Sequence, residues 1–278
     1  MMNKLVVSLF DLTGAALQPW YDSGYAVLQI DQQLPEGLIE YDLSGKPNWF
    51  KCGAVLNSVE DAIGIIEVVR ASSFTGLEVV FISCFPPCTD LAVSGARWFK
   101  AKAEENPAFQ EEAMKLVFMS RDVIEHYDVA GYIENPVSVI SSKWRKPDYK
   151  FHPYFFTGIC LEDNYTKKTC LWTNEKFRIP IKNIHPKVQQ AINRVVNVMG
   201  RFVPKPRVFE QVDLVDGVFV RKGHLWAEEM LFPLDKLLLL QEWYPDDRIH
   251  KAGPSDDRAN FRSATPKGWS VAVKEANS

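Results

Sequence analysis

Apolar runs alternate with amphipathic stretches along the first half of the chain. KLVVSLF (residues 4–10) reads as a buried strand, DLTG as a turn, and Ala15 to about Ser23 as a helix stopped by Gly24. YAVLQID (25–31) is the next strand. SVEDAIGIIEVVRAS (58–72) spaces its apolar positions by three and four and predicts a helix, followed by the strand LEVVFIS (77–83). PAFQEEAMKLVFMSRDVIEHY (107–127) predicts a long amphipathic helix. VAGYIEN (129–135) predicts a strand ending in two polar residues, and TCLW (169–172) a later strand. Strands alternating with helices give an α/β fold with a doubly wound, mostly parallel sheet.

The rhythm weakens beyond Pro180. IHPKVQQAINRVVNVMGRF (184–202) predicts a helix, and strands are expected around turns at Asp216-Gly217 and Lys222-Gly223. The expected organisation is a main domain over 1–180, a small inserted lobe over 181–245, and a tail over 246–278 that returns to the main domain and ends in a short helix.

The net charge of −3 hides an asymmetry: residues 143–222 hold 16 Lys/Arg against 7 Asp/Glu. A basic block on an acidic body is a footprint for phosphate, with a plain solvated surface as the other reading. No apolar stretch approaches the roughly 18 residues of a membrane span, and MMNKLVVSLFDL lacks the pattern of a secretory signal, so a cytoplasmic protein is expected. The cysteines are Cys52, Cys84, Cys88, Cys160 and Cys170, without C-x-x-C spacing, so neither a disulfide framework nor a metal site is expected. Oligomeric state is not legible.

Polar residues gather where the predicted strands end: Phe10-Asp11, Asp31, the SCFPPCTDLAVSG loop (83–95) and Glu134-Asn135. In doubly wound sheets, ligands bind beyond the carboxyl ends of the strands. A cysteine at the tip of a Pro-Pro turn is therefore a candidate reactive group.

These motifs in this order resemble the DNA cytosine carbon-5 methyltransferases, especially compact, phage-type members with a Pro-Pro-Cys-Thr loop, an Ile-Glu-Asn-Pro strand end and a Lys-Lys-Thr-Cys-Leu-Trp segment. The resemblance covers residues 4 to about 172, with a weaker match around 253–273. It implies a Rossmann-like, S-adenosylmethionine-dependent enzyme. Phe10 would pack on the adenine, and Asp11, Gly14 and Pro86 would border the cofactor. Asp31 would accept from the ribose hydroxyls. The family's Gly-rich loop keeps only Gly14 here, with Leu12 and Ala15 in the other places.

Cytosine carbon 5 becomes nucleophilic only after a thiolate adds to carbon 6. By resemblance Cys88 is that nucleophile and Glu134 the acid that donates to N3, while Asn135 buttresses the loop and meets the substrate. Cys84 is expected to be structural. Lys167 stands where the family has the first Arg of Gln-x-Arg-x-Arg, and Thr169 replaces the second; a lysine supplies charge without a bidentate fork. Ser94 and Arg97 are expected to flank the substrate, and Lys143, Arg145 and Lys168 to contact it. The implied partner is double-stranded DNA with its target base flipped out of the stack, in a host cytoplasm if the chain is phage-encoded. Other readings are methylation of an exocyclic amine, of RNA or of a free nucleotide, and a non-catalytic nucleic-acid-binding relic.

Overall fold

The computed structural model describes residues 3–41, 49–72, 76–200, 212–215, 218–221, 224–225, 243–251 and 263–278. Its main sheet uses β1 (Lys4–Leu9), β2 (Ala26–Ile30), β3 (Gly37–Tyr41), β4 (Trp49–Gly53), β5 (Glu78–Cys84), β6 (Ala130–Pro136), β7 (Tyr149–Phe151) and β8 (Thr169–Thr173) in the order β3-β4-β2-β1-β5-β6-β8-β7. Neighbours from β4 to β6 pair in parallel; β3 and β8 run against them. The run β4-β2-β1-β5-β6 is a doubly wound order. The chain fills one side from β1, then returns to fill the other, and the switch point lies between β1 and β5.

Both sheet faces are covered, so the central strands are apolar on both sides. On one face Leu5, Val7, Leu9, Leu28, Ile30, Ile82 and Ile133 pack with residues of α2 (Val59–Ser72) and α4 (Phe109–Tyr127), such as Ile66 and Val117. On the other, Val6, Val27, Phe81, Tyr132 and Leu171 pack with Trp20 and Tyr21 of α1 (Gln18–Asp22) and with Trp269 of the C-terminal helix, Lys267–Asn277. The tail thus returns to the main sheet: the Trp269 ring stacks on Phe151 at 4.1 Å between centroids. Asp163 anchors it, accepting the Gly268 N–H at 2.6 Å in the first turn of that helix.

The expected strands are present, with differences. The helix expected from Ala15 starts at Gln18, where Pro19 occupies its first turn, and residues 15–17 form the turn before it. The β3–β4 hairpin arises in a stretch that gave no strand signal. The short α3 (Phe99–Glu105), α5 (Ile140–Lys143) and β7 were likewise unforeseen. Beyond residue 180, α6 spans Pro186–Gly200, and β9 (Val212–Val215), β10 (Val218–Arg221) and β11 (His224–Leu225) form a separate antiparallel sheet. The two expected turns fall between these strands, outside the described residues. No helix among the described residues is long and apolar enough to cross a membrane.

Candidate active site at the carboxyl ends of the strands

The loop after β1 is built by its own side chains. Phe10 has φ 57, a left-handed conformation that costs an aromatic residue about 1–3 kcal/mol and persists only where the surroundings enforce it. Asp11 supplies much of that enforcement. Its Oδ2 accepts the Ser8 hydroxyl at 2.8 Å, and its Oδ1 accepts the Thr13 and Gly14 N–H groups at 3.1 and 2.8 Å and the Thr13 hydroxyl at 3.1 Å. Burial still holds the carboxyl above its ordinary range, although these bonds pull it down. Asp11, expected beside the cofactor, has both carboxylate oxygens engaged in folding the loop.

Gln29, a buried amide in an otherwise apolar strand, completes the scaffold. Its Nε2 donates to the Asp11 and Leu12 carbonyls, each at 2.8 Å, and its Oε1 accepts from Trp49 Nε1 at 3.1 Å. Gly14 has φ +67, and a Cβ there would come within 2.7 Å of the Trp49 ring. The glycine therefore serves close packing of the loop on Trp49 and Gln29, where a cofactor contact was expected. Sequence reasoning missed both partners; the one available signal was a glutamine inside YAVLQI.

Asp31 follows β2 with only 9% of its surface exposed. Its Oδ1 accepts the Gln33 N–H at 2.8 Å, and burial raises its pKa. Among the described residues that is the one hydrogen bond its carboxylate accepts, which leaves further acceptor capacity on it.

The loop after β5 carries the two cysteines into different environments. Cys84 is fully buried and its thiol is pushed up to about 12, chiefly by burial. It is inert packing. Pro86 is buried, Pro87 exposed and Cys88 half-buried. The carbonyl of Cys88 accepts the N–H groups of Leu91 and Ala92 at 3.0 and 2.8 Å, closing a tight turn around the residue. The loop is tied to the end of β6 at three points. Asn135 Nδ2 donates to the Pro86 carbonyl at 2.9 Å, Val93 N–H to Val137 O at 3.0 Å, and Val139 N–H to Leu91 O at 2.9 Å.

Glu134 precedes Asn135 and points to the other sheet face, towards Tyr132 and Thr169. It is half-buried, and desolvation raises its pKa, opposed by the nearby charge of Lys167 and a hydrogen bond with Thr169. Lys167 is held by the tail: its Nζ donates to the carbonyls of Ser263 and Ala264 at 3.4 and 3.2 Å.

Phe10, Asp11, Gly14, Asp31, Pro86, Cys88, Glu134, Asn135 and Lys167 are thus gathered at one edge of the sheet. Ser94 and Arg97 lie just beyond, exposed in the 3₁₀ turn Val93–Trp98, with the Arg97 guanidinium 5.0 Å from the Trp98 ring centre. Lys168 is half-buried near Cys170. Lys143 and Arg145 are engaged elsewhere. Lys143 Nζ pairs with Glu111 at 3.2 Å, and Arg145 clamps both oxygens of Asp148 at 2.7 Å and donates to Thr173 O at 2.9 Å. Because β8 is antiparallel, Thr173 lies toward the amino ends of the parallel strands, away from Cys88. Among the described residues no three His, Cys, Asp or Glu side chains gather as a metal site. The sequence matches no protein-family model and no curated protein.

Proposed function

We propose that this protein is an S-adenosylmethionine-dependent methyltransferase that modifies carbon 5 of cytosine in DNA through a covalent Cys88 adduct. The observation that carries this reading is the joining of the β5 and β6 strand ends, next to the switch point. A partly accessible thiol sits on a Pro-Pro turn, and a carboxylic acid with a raised pKa ends the adjacent strand; Asn135 fastens the two together. Cysteine and acid are the pair that activation of a pyrimidine needs.

Asp31 would hold the ribose of the cofactor and Phe10 would pack on its base, and the bound sulfonium would supply an electrophilic methyl group. The residues of the chain do the rest. The Cys88 thiolate adds to carbon 6 of the flipped cytosine as Glu134 delivers its proton to N3, which turns carbon 5 into a nucleophile. Lys167 keeps positive charge beside the carboxylate that remains. Once carbon 5 has been methylated, water takes the carbon 5 proton and the carbon–sulfur bond breaks to release the Cys88 thiolate. N3 returns its proton to the Glu134 carboxylate, which restores both the ring and the acid. Asn135 holds the loop rigid so that the thiol does not drift from the ring face.

A second reading, a nucleic-acid-binding relic without cofactor, draws on the inward engagement of Asp11 and Gly14. One assay separates the two. The protein is incubated with DNA and methyl-labelled S-adenosylmethionine, and the product is digested to nucleosides. Label in 5-methylcytosine, lost in Cys88→Ala, is the expected result. Label on an exocyclic amine would remove the covalent role of Cys88. Neither label nor cofactor binding would leave the relic.

A further inference from the structure

Among the described residues, the basic block from residue 143 onward places two of its lysines on one aromatic surface. The segment 152–155 continues from β7, whose end Phe151 lies level with Pro136 across β8, so it leaves the sheet at the same edge as Glu134. There the half-buried Phe155 ring carries the Lys182 ammonium 4.0 Å from its centre. A second pair lies close by: the Lys187 ammonium sits 4.5 Å from the centre of the Trp243 ring, and Trp243 stacks on His185 at 5.3 Å with planes 13° apart.

Backbone bonds fix the two pairs to one platform. Asn183 N–H donates to Phe155 O at 2.9 Å, Gly158 N–H to Asn183 O at 2.7 Å, and His185 N–H to Thr157 Oγ1 at 3.0 Å. Asn164 Nδ2 holds Trp243 through its carbonyl at 3.2 Å. Lys182 and Lys187 are exposed, and neither makes a salt bridge among the described residues. The nearby Asp246 is clamped by its own Arg248 at 2.8 and 2.9 Å. Two ammonium groups are therefore pre-positioned on aromatic faces with no salt-bridge partner among the described residues, which suits a polyanion better than an acidic side chain.

We infer that the surface formed by Phe155, Lys182, His185, Lys187 and Trp243 binds the phosphate backbone of duplex DNA flanking the target base. This rests on the reading of DNA as substrate and assigns the side chains that hold it. Phosphate contacts of this kind set register and orientation without reading sequence.

The test is fluorescence anisotropy with a labelled DNA duplex over a range of salt concentrations. Each phosphate neutralised contributes about −0.9 to the slope of log K against log salt. Lys182→Ala with Lys187→Ala should therefore make the slope shallower by about 1.8, with an unchanged melting temperature because both side chains are exposed. Trp243→Ala and Phe155→Ala should weaken binding about two- to fivefold and leave the slope nearly intact. An unchanged slope in the double lysine variant would overturn the inference, as would absence of DNA binding by the intact protein or tighter binding of an RNA duplex of the same sequence. Failure of the two ideas is separable. DNA methylation with an unchanged slope sinks the surface alone, whereas the expected slope change without methyl transfer sinks the reaction alone.

Discussion

Asn135 and Pro86 stand 49 positions apart, yet the side-chain amide of one donates to the backbone carbonyl of the other at 2.9 Å. The bond is buried, and its donor sits on the strand that presents Glu134. One amide thus fixes the Cys88 loop relative to the strand end that carries Glu134.

Asn135→Ala would strand the Pro86 carbonyl in a buried position, at a cost of about 1–3 kcal/mol. The expected outcome is a lower melting temperature together with a fall in kcat larger than any rise in the KM for DNA, since the thiol loses its fixed position. Equal loss in kcat and in the folded fraction, measured by circular dichroism on the same samples, would reduce the effect to stability alone.

Glu134 predicts a falling limb in the pH profile. The proposed reaction uses its protonated form, and burial raises its pKa above the ordinary 4.5, so activity should be lost as pH rises through that higher value. Lys167 acts in the opposite direction by favouring the carboxylate. Lys167→Met should therefore move the limb to higher pH, and Lys167→Arg should restore its position. Glu134→Gln should abolish the limb and lower kcat by about 10²–10⁴-fold. A limb that persists unchanged in Glu134→Gln belongs to some other group.

Gly14→Ala tests whether the loop after β1 is held by packing on the protein itself. The left-handed φ of +67 and the 2.7 Å approach to Trp49 both oppose a methyl group. Destabilisation of about 1–3 kcal/mol is expected from strain of this kind. Trp49→Ala in the same chain should recover part of it, giving non-additive unfolding free energies by denaturant titration. Strict additivity would mean that the ring is not what the methyl group meets.

The sheet core was legible because β1, β2, β5 and β6 are apolar runs with turn residues at their ends. β4 was not. WFKCG is short and buries only Phe50 and Cys52, and its antiparallel partner β3 exists only by pairing with it. With β4 unseen, Trp49 could not be placed against Gln29, and the internal hydrogen bonds that shape the loop after β1 were not legible. Gathering of Cys88 and Glu134 at one edge was readable from strand ends, since a parallel sheet brings its carboxyl ends together. Arg145 shows the complementary case: charge can be counted along the sequence, but its pairing with Asp148 and Thr173 depends on the reversed direction of β8.

Asp31 is the most direct probe of the proposed cofactor binding. Its buried carboxylate keeps acceptor capacity after one bond to Gln33 N–H, and hydrogen bonds to a charged acceptor contribute about 1.5–3 kcal/mol. Asp31→Ala should therefore raise the Kd for S-adenosylmethionine about 10- to 150-fold. Activity should recover at saturating cofactor, because the lost contact is made equally in ground and transition states. The pH dependence has a definite sign. Burial lifts the Asp31 pKa above its ordinary 3.8, and the acceptor must be ionised to bind both hydroxyls, so affinity falls as pH drops through that raised value. Asp31→Asn should flatten this dependence while keeping one acceptor oxygen, and its Kd should lie between those of the wild type and Asp31→Ala. If calorimetry finds the same Kd for all three proteins, the ribose is held elsewhere, and the acidic end of β2 serves the turn at Gln33 alone.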